Sequence, residues 1–204
     1  MQEDTNAETL EAYESGVADY NAVAIPEVTG SLKTWVDAGL AMLPPGAHIL
    51  ELGSGHGRDA KYMASRGFDV EPTDAAQAFV DYLNQNGQHA RLLNALTDDY
   101  GGPYDMVYAG AVLVHFTTQE TGDVLQKVKS ALQPDGLFSF SVKIGEGSGW
   151  SDAKLKARRF FTYWQEKPLR ELLASNGFSV VFWEEGTTGH NNGEWYHVVA
   201  RREA

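Results

Sequence analysis

Apolar residues recur at helical spacing from Leu32 through Trp35, Val36, Leu40 and Leu43, and Pro44-Pro45-Gly46 stops the run because proline cannot continue a helix. His48 to Leu52 is a short apolar run that predicts a strand. Glycines 53, 55 and 57 follow it, and Asp59 to Arg66 returns to a helix-compatible pattern. The alternation continues with Phe68–Glu71 as strand, Gln77–Asn84 as helix with Phe79, Val80 and Leu83 inward, and Ala90–Leu93 as strand. Asp105–Ala109 predicts the next strand. A helix then opens at Thr117, where Thr117 and Glu120 have capping-box spacing and Val124, Leu125, Val128 and Leu132 form one apolar stripe. Pro134-Asp135-Gly136 predicts a turn and Leu137–Val142 a strand of period two. Gly145–Gly149 is expected as loop, Pro168–Asn176 as a helix closed by Gly177, and Phe178–Trp183 with Trp195–Ala200 as a terminal hairpin.

Strands alternating with helices imply right-handed crossovers and an α/β, doubly wound, mainly parallel sheet, to which the final hairpin adds one antiparallel strand. A chain of 204 residues fits one domain. Within it the first 30 residues stand apart: seven acids (Glu3, Asp4, Glu8, Glu11, Glu14, Asp19, Glu27) precede the first basic residue, Lys33. We therefore expect an acidic helical arm over 1–30 and a body over 31–204. The arm is either a solvated tail or, because Tyr13, Val17 and Tyr20 share one helix face, a lid over a site.

The balance of 16 basic and 28 acidic residues leaves a net charge of −12, the wrong sign for gripping a phosphate backbone, so no nucleic acid partner is expected. No stretch approaches the ~20 apolar residues that span a bilayer, and the first residues lack a basic start, so we expect no membrane partner and a cytoplasmic protein. Cysteine is absent, which excludes disulfides, thiolate metal sites and cysteine nucleophiles. Six histidines without H-x-x-x-H spacing, among them His190 and His197, predict no metal site.

In an open parallel sheet the ligand crevice lies at the carboxyl ends of the strands, where the Gly-rich loop after the first strand sits. The loop reads Glu51-Leu52-Gly53-Ser54-Gly55-His56-Gly57-Arg58. A dinucleotide loop wants glycine at the sixth position of G-x-G-x-x-G, and here that position is Arg58. The acid Glu51 also suits a ligand with an ammonium group better than one with a pyrophosphate. S-adenosylmethionine is such a ligand. Asp74 lies 21 residues beyond Gly53, just past the second strand, where a carboxylate can accept both ribose hydroxyls. Asn94 and Leu96, after the third strand, are either an adenine edge and face contact or a plain turn.

The runs ILELGSGHGRDA, VEPTDAA, YDMVYAGAVLVHF, ALQPDGLFSFSVK and FFTYWQEKPLRELLASNGF resemble, in order and spacing, the class I S-adenosylmethionine-dependent methyltransferases. They look most like the small bacterial enzymes of the group that includes the tellurite-resistance methyltransferases. The resemblance spans Leu32 to Arg202, and YESGVADYNAVA, which contains Tyr20, is similar to the family's tyrosine-bearing N-terminal helix. It implies a seven-stranded sheet with the last strand antiparallel and S-adenosylmethionine as cofactor, converted to S-adenosylhomocysteine. It further implies Gly53, Ser54 and Gly55 along the methionine portion with Glu51 beneath them. Asp74 is implied on the ribose, Ala75, Asn94, Ala95 and Leu96 around the adenine, and Ala109 and Gly110 at the amino-acid end. The sequence departs from the family at Asn94, where Asp is common.

Methyl transfer from a sulfonium is an in-line displacement, so positioning and exclusion of water do most of the work and a base is optional. His115 is the candidate base, its alternative being a hydrogen-bonded structural histidine. His56 is expected to face solvent, and Arg58 to meet either a ligand carboxylate or a neighbouring acid such as Asp59 or Glu51. Recognition of a small-molecule acceptor, anionic or planar, is expected from Tyr13, Tyr20, Lys143–Trp150 and Arg158–Phe161. Two other readings stay open: a module that binds the cofactor without transferring a methyl group, and a nicotinamide-dependent oxidoreductase.

Overall fold

The computed structural model describes residues 4–153, 155–187 and 194–203. Two helices, α1 (Thr5–Ser15) and α2 (Val17–Val23), precede α3 (Gly30–Leu40). Then come β1 (His48–Glu51), α4 (Arg58–Ser65), β2 (Asp69–Asp74), α5 (Gln77–Gln85), β3 (Arg91–Leu92) and β4 (Tyr104–Ala109). The second half comprises α6 (Thr118–Ala131), β5 (Leu132–Ile144), β6 (Ser148–Ser151), β7 (Arg159–Trp164), α7 (Glu166–Ser175), β8 (Phe178–Thr187) and β9 (Glu194–Arg202).

Strands β3, β2, β1, β4 and β5 lie side by side and parallel, β9 runs antiparallel along β5, and β8 pairs with β9. These seven strands are the expected sheet with its antiparallel C-terminal strand, and β7 and β6 extend it to nine. The strand order reverses between β1 and β4, which sets the ligand crevice at the ends of those strands. Helix α6 starts as its sequence predicts. Thr117 Oγ1 accepts from Glu120 N–H at 3.2 Å and Glu120 Oε2 from Thr117 N–H at 2.7 Å, satisfying two orphan donors of the first turn.

One apolar layer joins Leu50, Val107, Phe138 and Phe140 to Val124, Leu125 and Val128 of α6 and to Leu169 and Leu173 of α7. The other packs Trp35 and Val36 of α3 and Met63 of α4 on Ile49, Met106 and Val199. Covered on both faces, β5 buries even the polar members of its alternation, Ser139 and Ser141.

Two differences from expectation bear on the site. The stretch around Gly145–Gly149, expected as loop, leads into a ribbon: β6 pairs antiparallel with β7, and β7 joins the end of β5 through Lys143 with Tyr163 and Ile144 with Trp164. The Gly/Ser-rich β6 carries no local strand signal, and its pairing is supplied by the aromatic β7. The arm is also two helices, broken at Gly16, where a Cβ would stand 2.7 Å from the Ala12 carbonyl oxygen. Pro134-Asp135-Gly136 forms a bulge inside the span of β5, with Asp135 at φ +62°.

Candidate active site

Beyond β1 the chain turns three times through the left-handed region, at Gly53 (φ +64°), Gly55 (+54°) and Gly57 (+77°). At Gly53 the requirement is steric as well, because a Cβ would sit 2.6 Å from Val112 Cγ2. Ser54 fastens the loop to β2: its N–H donates to the Thr73 carbonyl at 2.8 Å and its Oγ accepts from Thr73 N–H at 3.1 Å. Asp74, at the end of β2, accepts from Gly55 N–H through Oδ2 and from Ala76 N–H through Oδ1, both at 2.9 Å. Burial pushes its carboxyl up to about 6. The carboxylate borders a cavity of about 290 Å³.

A polar layer lies under the loop. Arg58 holds Asp59 in a fork, with Nε–Oδ1 at 2.6 Å and Nη2–Oδ2 at 3.0 Å, and Tyr108 donates its hydroxyl to the same Oδ2 at 3.0 Å. Arg58 thus meets a neighbouring acid, as one expectation had it, and also borders the cavity. Glu51 is buried beside them, and desolvation, with Asp59 adding to it, raises its carboxyl to about 8. His56, expected to face solvent, is half-buried. The positive-φ glycines on either side turn it toward the segment that follows α2, where Nε2 donates to the Ile25 carbonyl at 3.1 Å.

After β3, Asn94 forms a turn of its own: Oδ1 accepts from Leu96 N–H at 2.9 Å, while Nδ2 donates to Asn6 Oδ1 of α1 at 3.0 Å. It is thus a turn residue that also borders the cavity.

His115 closes a short 3-10 turn, Leu113–His115, after β4. Its Nδ1 lies 2.7 Å from the Phe160 carbonyl, which can only accept, so Nδ1 carries the proton and Nε2 accepts from the Tyr13 hydroxyl at 2.8 Å. Burial lowers the imidazole to about 4, keeping it neutral. Arg159 Nη1 donates to the same Tyr13 oxygen at 3.2 Å. Helix α1 is held against this end by Thr9 Oγ1, which accepts from Phe160 N–H at 3.1 Å, and by the Glu8–Arg158 ion pair. Ala111, at φ +60°, donates its N–H to Ser141 Oγ at 2.9 Å and turns the chain after β4 into the cavity wall.

Of the residues expected at the site, Tyr20, Gly53, Gly55, Asp74, Ala75, Asn94, Ala95, Gly110 and His115 border the one cavity. Glu51, Ser54, Leu96 and Ala109 do not: Glu51 and Ala109 are interior strand residues, Ser54 is turned onto β2, and Leu96 packs against the core. His190 lies outside the described residues. Sequence reasoning missed Phe79, whose ring meets those of Tyr13 and Tyr20 at 6.3 and 5.3 Å, and Trp195, read only as a strand residue. Phe79 carried no signal beyond its apolar spacing.

The methyltransferase-domain family profile matches residues 27–181. The magnesium-protoporphyrin O-methyltransferase of Synechocystis is 25% identical over 150 residues, which are 67% of this chain and 65% of that protein, so the chain matches just under two thirds of that curated relative's length. Its crystal structure with bound S-adenosylmethionine superimposes with a TM-score of 0.65 at 18% identity, covering all of this chain and 86% of that one. The Burkholderia thailandensis 1,6-didemethyltoxoflavin-N1-methyltransferase has a TM-score of 0.74 at 21% identity, over 98% of this chain and 87% of that one. A TehB-like S-adenosylmethionine-dependent methyltransferase from Corynebacterium glutamicum has a TM-score of 0.64 at 22% identity, over 83% and 87%. The glycine loop, the strand order and the profile agree, and the chain belongs to the methyltransferase-domain family.

Proposed function

We propose that the protein transfers a methyl group from S-adenosylmethionine to a small-molecule acceptor by in-line displacement. The observation that carries this reading is continuity: the Asp74 carboxylate and the glycine loop border one end of the same cavity that His115, Tyr13 and Arg159 border at the other. The donor set suits the cofactor. Gly53 and Gly55 leave bare backbone for the methionine portion, Asp74 offers a free lone pair on each oxygen to the ribose, and Ala75, Asn94 and Ala95 surround the adenine. Gly110 serves the amino-acid end. Glu51, Ser54, Leu96 and Ala109 act from behind as supports of that wall.

When bound, the cofactor supplies an electrophilic methyl group on sulfur. The chain's own residues hold the acceptor in line, exclude water and take up its proton. Tyr13 is the hydroxyl nearest His115, so the proton of the acceptor passes to the Tyr13 oxygen as the phenolic proton moves to His115 Nε2. An imidazole this hard to protonate is a weak base, which suits an acceptor whose proton is itself acidic. In this reading α1 and α2 form a lid, since Asn6, Thr9, Leu10, Tyr13 and Tyr20 all border the cavity.

The competing reading, a cofactor-binding module without chemistry, predicts a filled or flat surface beyond the loop; the cavity reaching Trp195 and Phe161 favours the enzyme. Calorimetric titration of the purified protein tests the assignment. S-adenosylmethionine and S-adenosylhomocysteine are expected to bind with micromolar dissociation constants and NAD not at all. Binding of NAD alone would overturn it.

A further inference from the structure

The arm is acidic throughout, with seven carboxylates ahead of the first basic residue, Lys33. It also has little apolar surface to seat it: α1 buries only Thr9 and Ala12, and α2 buries no residue. A helix with so small an apolar face takes its place from polar contacts. Three arm carboxylates reach across to positive partners on the body. Glu8 Oε2 meets Arg158 Nη2 at 3.0 Å, Asp19 Oδ2 meets Lys156 Nζ at 3.2 Å, and both oxygens of Glu14 accept from Ala78 N–H at 3.2 Å.

The Glu14 contact differs in kind from the two ion pairs. Ala78 is the second residue of α5, so its N–H has no partner within the helix and lies at the positive end of the helix dipole. At the same helix start Ala76 N–H goes to Asp74. The start of α5 therefore holds the acid proposed for the ribose with one N–H and the lid with another. The Asp74 carboxyl, raised chiefly by burial, is raised further by the charge of Glu14.

Glu14 follows Tyr13, whose hydroxyl meets His115 Nε2 at 2.8 Å. Consecutive helical side chains point about 100° apart. With Glu14 fastened to α5, α1 cannot turn about its axis without withdrawing Tyr13 from His115. Resting on the methyl-transfer reading above, in which Tyr13 relays the proton of the acceptor, we infer that Glu14 is a positioning residue of the reaction: its carboxylate, latched to the first turn of α5, sets the rotation of α1 that brings the Tyr13 hydroxyl onto His115. Exposed contacts of this kind are individually weak, which leaves the lid able to open when ligands exchange.

The test reads the Tyr13–His115 contact itself, through the imidazole nitrogen resonances of the full chain labelled with 15N-histidine. Tyr13→Phe gives the His115 Nε2 resonance without the hydrogen bond. Glu14→Ala is expected to move that resonance toward the Tyr13→Phe value, and Glu14→Gln, which keeps an acceptor oxygen and loses the charge, less far. Glu11→Gln neutralises an exposed acid of the same helix outside these contacts and should leave the resonance in place. Amide hydrogen exchange over α1 should quicken about two- to fivefold in Glu14→Ala, the scale of one exposed carboxylate at a helix N-terminus. A His115 resonance that stays at its wild-type position in Glu14→Ala, or that Glu11→Gln moves as far, would overturn the inference. S-adenosylhomocysteine is then added to the wild-type chain. Its failure to bind overturns the methyl-transfer reading instead, and the His115 signal, which needs no ligand, still judges the latch.

Discussion

The two ends of the cavity are built on opposite plans. The end proposed for the cofactor is assembled from consecutive segments between Leu52 and Ala95, each a turn at the end of a parallel strand, and its polar contacts are largely backbone N–H groups. The end proposed for the acceptor draws Thr9, His115, Arg159 and Trp195 from four distant parts of the chain and is lined by side chains. A ligand shared by many reactions can be held by backbone geometry, which tolerates sequence change. A ligand that differs between reactions needs side chains, which are exchanged one at a time.

Four experiments can break or sharpen this contrast. The largest effect is expected at the acceptor end: His115→Asn or Tyr13→Phe should lower turnover about 100-fold, the scale of a lost proton transfer, with the affinity for S-adenosylhomocysteine nearly unchanged. Steady-state kinetics beside calorimetry reads both. Equal activity would make His115 a structural histidine. Next is Asp74→Ala, expected to weaken S-adenosylmethionine by about 2 kcal/mol, roughly 30-fold, through the loss of charge-assisted hydrogen bonds. An unchanged dissociation constant would remove Asp74 from the ribose.

The third experiment separates the ends by pH. Asp74 titrates near 6 and must be ionised to accept two hydroxyls, whereas His115 stays neutral down to about 4. Protonation of Asp74 as pH falls below 6 removes the binding form, so cofactor affinity at pH 5 should be about tenfold lower than at pH 7. Calorimetry at the two pH values reads this; a flat profile would contradict the carboxylate's role. The smallest effect concerns the backbone plan itself. Gly53→Ala adds left-handed strain and a contact with Val112, expected to cost about 1–2 kcal/mol of stability. Gly53→Ala/Val112→Ala should recover the steric part and leave the strain, as urea unfolding of these two variants and of Val112→Ala alone would measure.

How much of this was legible in the chain follows the same division. The glycine loop, the capping box at Thr117 and the strand order are local signals that physics reads over a few residues; β2 runs on to Asp74, expected just past it, and Leu132, expected in the helical stripe, opens β5. Strand β3 shrinks to Arg91–Leu92, since an exposed edge strand pairs on one side only. The β6–β7 ribbon was illegible because its register depends on a partner in space, not on the Ser148–Ser151 sequence. Arg159 and Phe161 stood out by residue type, but not that the arginine would be buried between rings. The Tyr13–His115 contact spans 102 positions, and no spacing rule reaches that far.

The break at Gly16 has a consequence for how such a protein diversifies. Because α1 ends there, the roof residues Asn6, Thr9, Leu10 and Tyr13 sit on about two turns of one short helix, joined to the rest by a glycine. If α1 is the lid proposed above, acceptor choice is concentrated in one eleven-residue segment that is separate in the chain from the glycine loop. The same segment carries the hydroxyl bonded to His115, so on that proposal a change in α1 would alter reactivity together with selectivity.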